Sequence, residues 1–308
     1  MTAGFSADPI TVSDAAWRVL EGAYDVHVHL DPDVIPRRID DLDCARDFLQ
    51  HGMRGFILKS HYMQTGERAR VVSKAVEGSR VYGSLTLNHS MGGLNPVAVE
   101  LAGRSGCKLV WMPTVDAENE TAGRTTAGGK QPFWAKIQRE LAAEGIAPPP
   151  ISVLDESGGL TAQARTCLDR IAKHDMILAT GHLGRREIVA LVGAARDMGL
   201  RKIVVTHAEF PSQSLTGDEQ KELADLGAII EHCFTTTYTG KAPWETAFAN
   251  IRKAGVARAL ISSDLGQTIN PPVAEGFAMF VQRLLDAGFS TDEVRTMAVT
   301  NPTALVEG

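Results

Sequence analysis

The sequence predicts an α/β protein with a single closed (β/α)₈ barrel, and three observations carry that prediction. Eight short apolar runs alternate with amphipathic helical segments from Tyr24 onward. Most of these runs are uniformly apolar, as expected for parallel strands that are buried on both faces. The chain of 308 residues also has the length that eight strand–helix units usually need.

The predicted strands are Ala23–His29, Gly55–Lys59, Val81–Leu87, Cys107–Met112, Met176–Thr180, Lys202–Thr206, Ala228–Glu231 and Ala259–Ser262. The helices between them carry recognisable start and stop signals. Asn95-Pro96 offers an N-cap followed by proline at the first helical position, and the predicted helix Arg185–Met198 stops at Gly199. Alternating elements of this kind predict a parallel sheet covered by helices.

One interval departs from this regular alternation. About sixty residues, 113–175, separate the fourth and fifth strands. They contain a Gly/Thr-rich loop at 121–130, a predicted helix over Phe133–Glu144 and a second helix over Thr161–His174. A long insertion where strands end is usually a lid or a substrate loop, so we expect residues 115–160 to be lid-like. The loop is not a phosphate-binding loop, because no Ser or Thr follows Lys130.

Composition and charge exclude several classes of function. The net charge of −6 and the lack of a basic run argue against nucleic acid or an anionic membrane as a partner. We expect no secretory signal and no membrane span, because no apolar stretch is long enough. The four cysteines form no Cys-x-x-Cys pair, which favours a reducing compartment, and we expect a cytoplasmic protein.

Histidines concentrate at the predicted strand ends. Seven of the nine lie at or just beyond the end of a strand, namely His27, His29, His61, His89, His182, His207 and His232. In an extended strand, residues two apart point the same way, so His27 and His29 would present both imidazoles to one side. The carboxyl ends of barrel strands form the active face of this fold. The pattern predicts a metal site there.

With these residues in view, the sequence resembles the amidohydrolase superfamily of metal-dependent barrels. The matching residues are Asp25-Val26-His27-Val28-His29 on strand one, His182 and His207 on strands five and six, and Asp264 on strand eight. The closing Asn301-Pro302-Thr303-Ala304 is similar to a frequent tail of that family. The resemblance covers about residues 23–308, and the 22 residues before strand one leave no room for the small β-sandwich of many members.

The resemblance implies a metal centre and assigns its residues. His27 and His29 would bind the more buried metal, and His182 and His207 the more exposed one. Asp264 would bind a metal and act as general base and acid. These residue types suit one or two divalent ions, with Zn²⁺ the first expectation, and such an ion brings the pKa of bound water to about 7.

The sequence departs from the family at strand four. Two-metal members usually carry a carboxylated lysine or a glutamate there, whereas this chain has Trp111-Met112-Pro113-Thr114. Three alternative roles are open for Lys59 at the end of strand two. It could form a carbamate and bridge two metals, remain an ammonium that holds a substrate carboxylate beside one metal, or form a structural ion pair.

Other strand-end residues are candidates for lesser roles. His61 is a candidate substrate or metal contact, or else a plain surface histidine. Asn88 is a candidate substrate contact near the turn at Gly92-Gly93. Glu231 and His232 either orient a metal ligand or form a satisfied buried pair. Specificity is expected in the insertion and in the loops after strands two, three and seven.

The resemblance implies a metal-dependent hydrolase that cleaves an amide, a cyclic amide or imide, or a lactone by attack of metal-bound hydroxide. The alternative is a non-oxidative decarboxylase of the same superfamily with a one-metal site, and deamination of a small ring is a lesser option. A different class of function is a barrel that binds a metal or metabolite without turnover. The presence of Asp264 argues against this alternative. The expected partner is a small-molecule substrate, and analogy with the family suggests a homo-oligomer.

Overall fold

The computed structural model describes residues 10–120 and 135–308, and it has the predicted barrel. Eight parallel strands follow one another in chain order around the sheet. Their bounds are β1 Tyr24–Val28, β2 Gly55–Leu58, β3 Arg80–Thr86, β4 Cys107–Trp111, β5 Ile177–Ala179, β6 Ile203–Val205, β7 Ile229–Cys233 and β8 Ala259–Ser262. The predicted fold class is confirmed, and each predicted strand overlaps an observed one.

The barrel closes between its first and last strands. The amide of Asp264 donates to the carbonyl oxygen of His27 at 2.9 Å, and the amide of His29 donates to that of Leu265 at 2.8 Å. Val28 and Leu265 form a parallel bridge. The closing hydrogen bonds therefore run directly beside the first histidine pair.

Helices follow the strands as the start and stop signals predict. They are α1 Asp14–Val19, α2 Asp41–Gln50, α3 Gly66–Ala75, α4 Pro96–Ser105, α5 Ala135–Ala143, α6 Ala162–Lys173, α7 Arg185–Asp197, α8 Gly217–Asp225, α9 Phe234–Tyr238, α10 Trp244–Ala254, α11 Val273–Asp286, α12 Thr291–Arg295 and α13 Asn301–Glu307. A π-helical turn at Thr296–Thr300 lies between α12 and α13. The short helix α9 was not predicted, because five residues are too few to show a period.

Two kinds of core lie on the two faces of the sheet. Inside the barrel, β-strand residues such as Ile57, Trp111 and Ile229 pack against one another, and Leu305 and Val306 of α13 join them. Outside it, the opposite faces of the strands pack against the helices. Because strand side chains alternate, this arrangement fixes which strand-end residues point into the barrel.

The described part of the insertion lies against loops that follow the strands. Ala135 and Ile137 of α5 pack with Ile35, Tyr62 and Val115, which belong to the loops after β1, β2 and β4. The predicted loop at 121–130 and the first two residues of the predicted helix Phe133–Glu144 lie outside the described residues. The lid-like role of 115–160 stays a prediction.

None of the described helices combines the length and the apolar character that crossing a bilayer requires.

Candidate metal centre

Five imidazoles form a closed ring at the carboxyl ends of the strands. The ring centroids are separated by 5.4 Å from His27 to His29, 5.0 Å from His29 to His61, 5.8 Å from His61 to His182, 4.8 Å from His182 to His207 and 6.1 Å from His207 to His27. All five side chains are buried. The structure thus brings together the four histidines predicted as metal ligands and places His61 between them.

An irregularity in β1 explains how His27 enters this ring. Between Asp25 and Val28 the register against β2 shifts, so that β1 contains one more residue than its partner. Val26 packs inside the barrel and Val28 outside it. The buried carboxylate of Asp25 accepts hydrogen bonds from the amides of His27 and Ser263, both at 3.1 Å. Asp25 therefore holds this irregular backbone against the end of β8.

The other two predicted ligands follow β5 and β6 in unusual backbone conformations. Gly181 has a φ of 62°, and a Cβ at this position would collide with the carbonyl oxygen of Met112. His207 itself has a φ of 26°, which is rare for a residue with a side chain. Thr180 and Thr206 each accept a hydrogen bond at 3.0 Å from the other strand's backbone. Strain of this kind concentrates at functional sites.

Asp264 stands at the centre of the His27–His29 pair. Its Oδ1 lies 3.1 Å from Nε2 of His27 and 3.2 Å from Nε2 of His29, while its Oδ2 accepts a hydrogen bond from Thr235 at 2.8 Å. The residue has a φ of 51°. Burial opposes its charge, but the neighbouring His27 and His29 hold the pKa of Asp264 well below its usual value. The carboxylate is therefore ionised and able to accept a proton.

Glu231 holds two of the predicted ligands at once. Its Oε1 accepts from Nδ1 of His27 at 3.0 Å and from the hydroxyl of Ser262 at 2.8 Å, and its Oε2 accepts from the amide of His207 at 3.0 Å. Burial favours the neutral acid, but His27 and these hydrogen bonds lower the pKa of Glu231. Because Nδ1 of His27 faces Glu231, its Nε2 is left to face the centre of the site.

Lys59 reaches the same place from β2. Its Nζ lies 2.9 Å from Nε2 of His27 and 4.0 Å from the centre of the Trp111 ring. Burial lowers the pKa of Lys59 to about 8, against the opposing charges of Asp264 and Glu231. Trp111 stands on β4, where the resemblance expects a lysine or glutamate ligand. A lysine two strands away thus fills the space above it.

A hydrogen-bonded group fixes His61. Its Nδ1 lies 2.8 Å from the hydroxyl of Thr114. The side-chain amide of Asn88 donates to the carbonyl oxygen of His61 at 2.8 Å and to the Thr114 hydroxyl at 2.7 Å, and it accepts from the Thr114 amide at 2.8 Å. Asn88 is buried. Its contacts position His61 and Thr114, while the predicted substrate contacts of Asn88 and His61 stay predictions.

The site keeps most of its imidazoles neutral. Burial lowers the pKa of His29, His61, His182 and His207, and the nearby positive charge of Lys59 adds to the effect for all four. Around His182 the carboxylate of Glu120 partly opposes it. Burial and Lys59 also act against a proton on His27, but Asp264 and Glu231 outweigh them and raise its pKa. Neutral imidazole is the form that binds a metal.

Several residues of the site lie on loops and were missed by the sequence patterns. Glu120 of the insertion lies 2.8 Å from Nδ1 of His182. Arg37, after β1, contacts Nδ1 of His29 at 3.3 Å and is paired with Asp33 at 2.7 Å. Loop residues show no period that could assign them to a face. In the sequence, these residues are marked only by lying on loops that follow strand ends. Many loop residues outside the site share that position, so it does not identify Glu120 or Arg37.

Two of the seven strand-end histidines lie elsewhere. His232 points out of the barrel, where its Nδ1 lies 3.1 Å from the carboxylate of Glu209. His89 lies in a short 3₁₀ turn, with its Nε2 2.7 Å from the carbonyl oxygen of Pro149. Beside it a cleft of about 380 Å³ lies between Tyr62, Asp116 and α5. This cleft adjoins the ring of imidazoles through Tyr62, which packs against His61.

Residues 22–231 match the model of a protein family described as "Family of unknown function (DUF6282)". The chain belongs to this family. The matched segment runs from β1 into β7 and contains every predicted metal ligand and substrate contact except Asp264. No curated protein has a sequence that matches the chain.

Solved structures share the fold over nearly the whole chain. An amidohydrolase from Pseudomonas aeruginosa aligns over 96% of this chain and 98% of its own, with a TM-score of 0.67 and 11% identity. A phosphotriesterase homology protein from Escherichia coli, with phosphate in its active site, aligns over 92% and 98%, with a TM-score of 0.58 and 15% identity. The dipeptidase AC, a metallopeptidase, aligns over 93% and 98%, with a TM-score of 0.58 and 15% identity. The resemblance to amidohydrolase barrels is confirmed at the level of the fold.

The donor atoms fit a divalent cation. One ligand atom each from His27, His29 and Asp264 lie within 4.8 Å of one another, which is close enough to surround a single ion. In the part of the chain that the structure describes, Nδ1 of His207 is buried and has no hydrogen-bond partner, as expected of a nitrogen reserved for a metal. The Lys59 ammonium competes with a cation for Nε2 of His27, whereas a carbamate on Lys59 would add a negative ligand at that point.

Proposed function

We propose that this protein is a metal-dependent hydrolase of the amidohydrolase type that cleaves an amide, a cyclic amide or imide, or a lactone. The observation that carries the proposal is the ring of five imidazoles with the ionised Asp264 between two of them. Neither metal-free binding nor a packed core needs a carboxylate whose oxygen lies within 3.2 Å of two imidazole nitrogens. The fold shared with an amidohydrolase and a metallopeptidase supports the same class.

The residues divide into two groups of ligands. His27, His29 and Asp264 would hold the more buried ion, and His182 and His207 would hold the more exposed one. Zn²⁺ is the proposed metal, because imidazole and carboxylate ligands suit it. When bound, such an ion supplies a nucleophile at neutral pH and polarises a carbonyl oxygen.

The chain's own residues supply the remaining chemistry. Asp264 accepts a proton at its carboxylate and returns it to the leaving group, and Thr235 and the two imidazoles keep that carboxylate ionised and aimed. Glu231 fixes the tautomer of His27 by accepting from its Nδ1. The Asn88–Thr114 pair holds His61 at the edge of the ring, where it can contact substrate.

For Lys59 we propose that the side chain forms a carbamate and bridges the two metal ions. Its Nζ lies against His27 and Trp111 at the inner side of the ring, which is a ligand position rather than one that meets substrate. Burial favours the neutral amine that carbamate formation requires, although the charges of Asp264 and Glu231 oppose it. The test is electron density at Lys59 in crystals grown with bicarbonate and Zn²⁺, with a Lys59→Met variant as the control for metal content.

The decisive experiment is metal content per chain followed by an activity screen. Protein grown with added Zn²⁺ and bicarbonate is expected to carry about two ions per chain, because the ring offers two ligand groups. It is then assayed against amides, cyclic imides and lactones, with Asp264→Asn as the matched variant. We expect hydrolysis that falls by about 10²–10⁴-fold in the variant. A protein that binds no metal would contradict the proposal.

One ion with an unmodified lysine and release of CO₂ from carboxylated substrates would instead favour the decarboxylase. A metal-loaded protein that turns over nothing in the panel would favour a binding function.

A further inference from the structure

A lysine on the loop after β7 lies next to the ring of imidazoles. The Nζ of Lys241 lies 4.5 Å from the centre of the Phe210 ring. Phe210 in turn packs against the rings of His207 and His182, at 4.9 Å and 5.9 Å between centroids. One aromatic ring therefore separates this ammonium from the two histidines proposed to hold the more exposed ion.

The backbone that carries Lys241 is fixed to the site. The amide of Lys241 donates to the carbonyl oxygen of Thr236 at 2.9 Å, and Gly240 before it has a φ of 71°. Thr236 belongs to α9, whose Thr235 donates to Asp264 at 2.8 Å. The position of Lys241 relative to Asp264 is thus set by one short helix, although the side chain itself reaches solvent.

The charge of Lys241 has no partner in the described parts of the chain. No carboxylate of residues 10–120 and 135–308 forms an ion pair with it. The two carboxylates whose charges act on it are engaged elsewhere, Asp264 with His27 and His29, and Glu120 with His182. Arg37 across the site differs, because Asp33 balances its charge at 2.7 Å. An ammonium held beside an aromatic face with no carboxylate partner is suited to bind an anion from solution.

We infer that Lys241 binds a negatively charged group of the substrate, so that the hydrolysed compound is an acid whose carboxylate is joined through an apolar segment to the bond that is cleaved. Phe210 would support the apolar part between the two groups. This inference rests on the proposed function, since it names the substrate class of the same site. It also assigns a specificity residue to the loop after β7, where the sequence predicts that specificity lies.

The test uses two probes with the same five-carbon chain on the Zn²⁺-loaded protein, glutarate and pentanoate. Both offer one carboxylate to the metal centre, but only glutarate offers a second one to Lys241. We expect isothermal titration calorimetry to show glutarate binding at least about tenfold more tightly, since a hydrogen bond to a charged group contributes that much. The preference should shrink to about twofold in Lys241→Met and survive in Lys241→Arg. Lys74→Met, on the exposed face of α3, is the matched control and should behave as the wild type.

Each contrary result has a defined meaning. Equal affinities in the wild type overturn the inference, and so does a preference that persists in Lys241→Met, which would assign the anion to Arg37. Binding of neither acid overturns it as well, while the Zn²⁺ content of the same sample reports separately on the proposed metal centre.

Discussion

Strand β7 places two neighbouring ionisable residues in opposite environments, and the comparison separates a pair at the candidate metal centre from a structural one. Glu231 points into the barrel and binds His27, whereas His232 points outward and binds Glu209. Both pairs are buried, and both join an imidazole Nδ1 to a carboxylate. From the sequence alone, Glu231 and His232 had the same two interpretations, which were to orient a metal ligand or to form a satisfied buried pair.

The partners of each pair show the difference. The inner carboxylate holds one imidazole whose other nitrogen faces Asp264 and Lys59, and it also holds the backbone of His207. The outer carboxylate is enclosed by amides, with Gln220 donating at 2.8 Å and Asn250 at 3.0 Å. The inner pair leaves a ligand nitrogen for the centre of the ring, while the outer network uses its charge to connect β7 to the helices α8 and α10.

The largest expected difference between the two pairs is in metal content. Replacing His27 by Asn removes a ligand proposed for the more buried ion, so we expect that variant to lose this ion. His232→Asn removes the same residue type from the outer pair and should keep the full metal complement. Elemental analysis of both purified variants, with circular dichroism to confirm folding, measures this. A His232 variant that loses metal would contradict the distinction.

The second prediction concerns stability. His232→Asn leaves the carboxylate of Glu209 buried without its imidazole, and removing one member of a buried pair costs about 3 kcal/mol. Urea unfolding of metal-free protein should show this loss relative to the wild type. His27→Asn also takes the imidazole partner from the buried Glu231, but the charge of Lys59, which acts on both Glu231 and Asp264, remains to offset these carboxylates, so the loss should be smaller than in His232→Asn. Equal losses in both variants would remove the contrast.

The smallest effect is expected for Glu231→Gln, which keeps the shape of the inner carboxylate but removes its charge. Loss of a carboxylate that orients a metal-binding histidine weakens metal affinity by about 10–100-fold. Competition with a chromophoric chelator gives the affinity directly. Glu209→Gln is the matched outer change, and its Zn²⁺ affinity should equal that of the wild type. A weakened affinity in this variant would show that the outer network also acts on the metal.

The sequence predicts those site residues that stay in phase with their strand. Lys59 is two residues beyond the interior Ile57, and Glu231 is two beyond the interior Ile229, so alternation alone directs both inward. His182 and His207 were found by their position at strand ends, although each lies where the backbone has turned out of phase. That turning depends on Gly181 and on the strained His207, which no spacing rule anticipates.

The remaining site residues depend on loops, and the sequence carries no periodic signal for them. Glu120 and Arg37 contact the ring, and Lys241 contacts Phe210 beside it, only because the loops after β4, β1 and β7 fold back over the strand ends. His61 and His232 show the same limit from the other side. Each is a histidine just beyond an apolar run, yet His61 lies in the ring of imidazoles and His232 points outward between the barrel and its helices.

The extra residue in β1 has a consequence for anyone who redesigns this barrel. Upstream of it, Tyr24 and Val26 fill the interior, and downstream of it His27 and His29 do, so the strand changes phase without losing its place in the sheet. Deleting Val26 would restore a regular strand and cost the interior core one small side chain. The same deletion would move the histidine pair out of alignment with Asp264, so transplanting the His-x-His motif requires transplanting the irregular backbone before it.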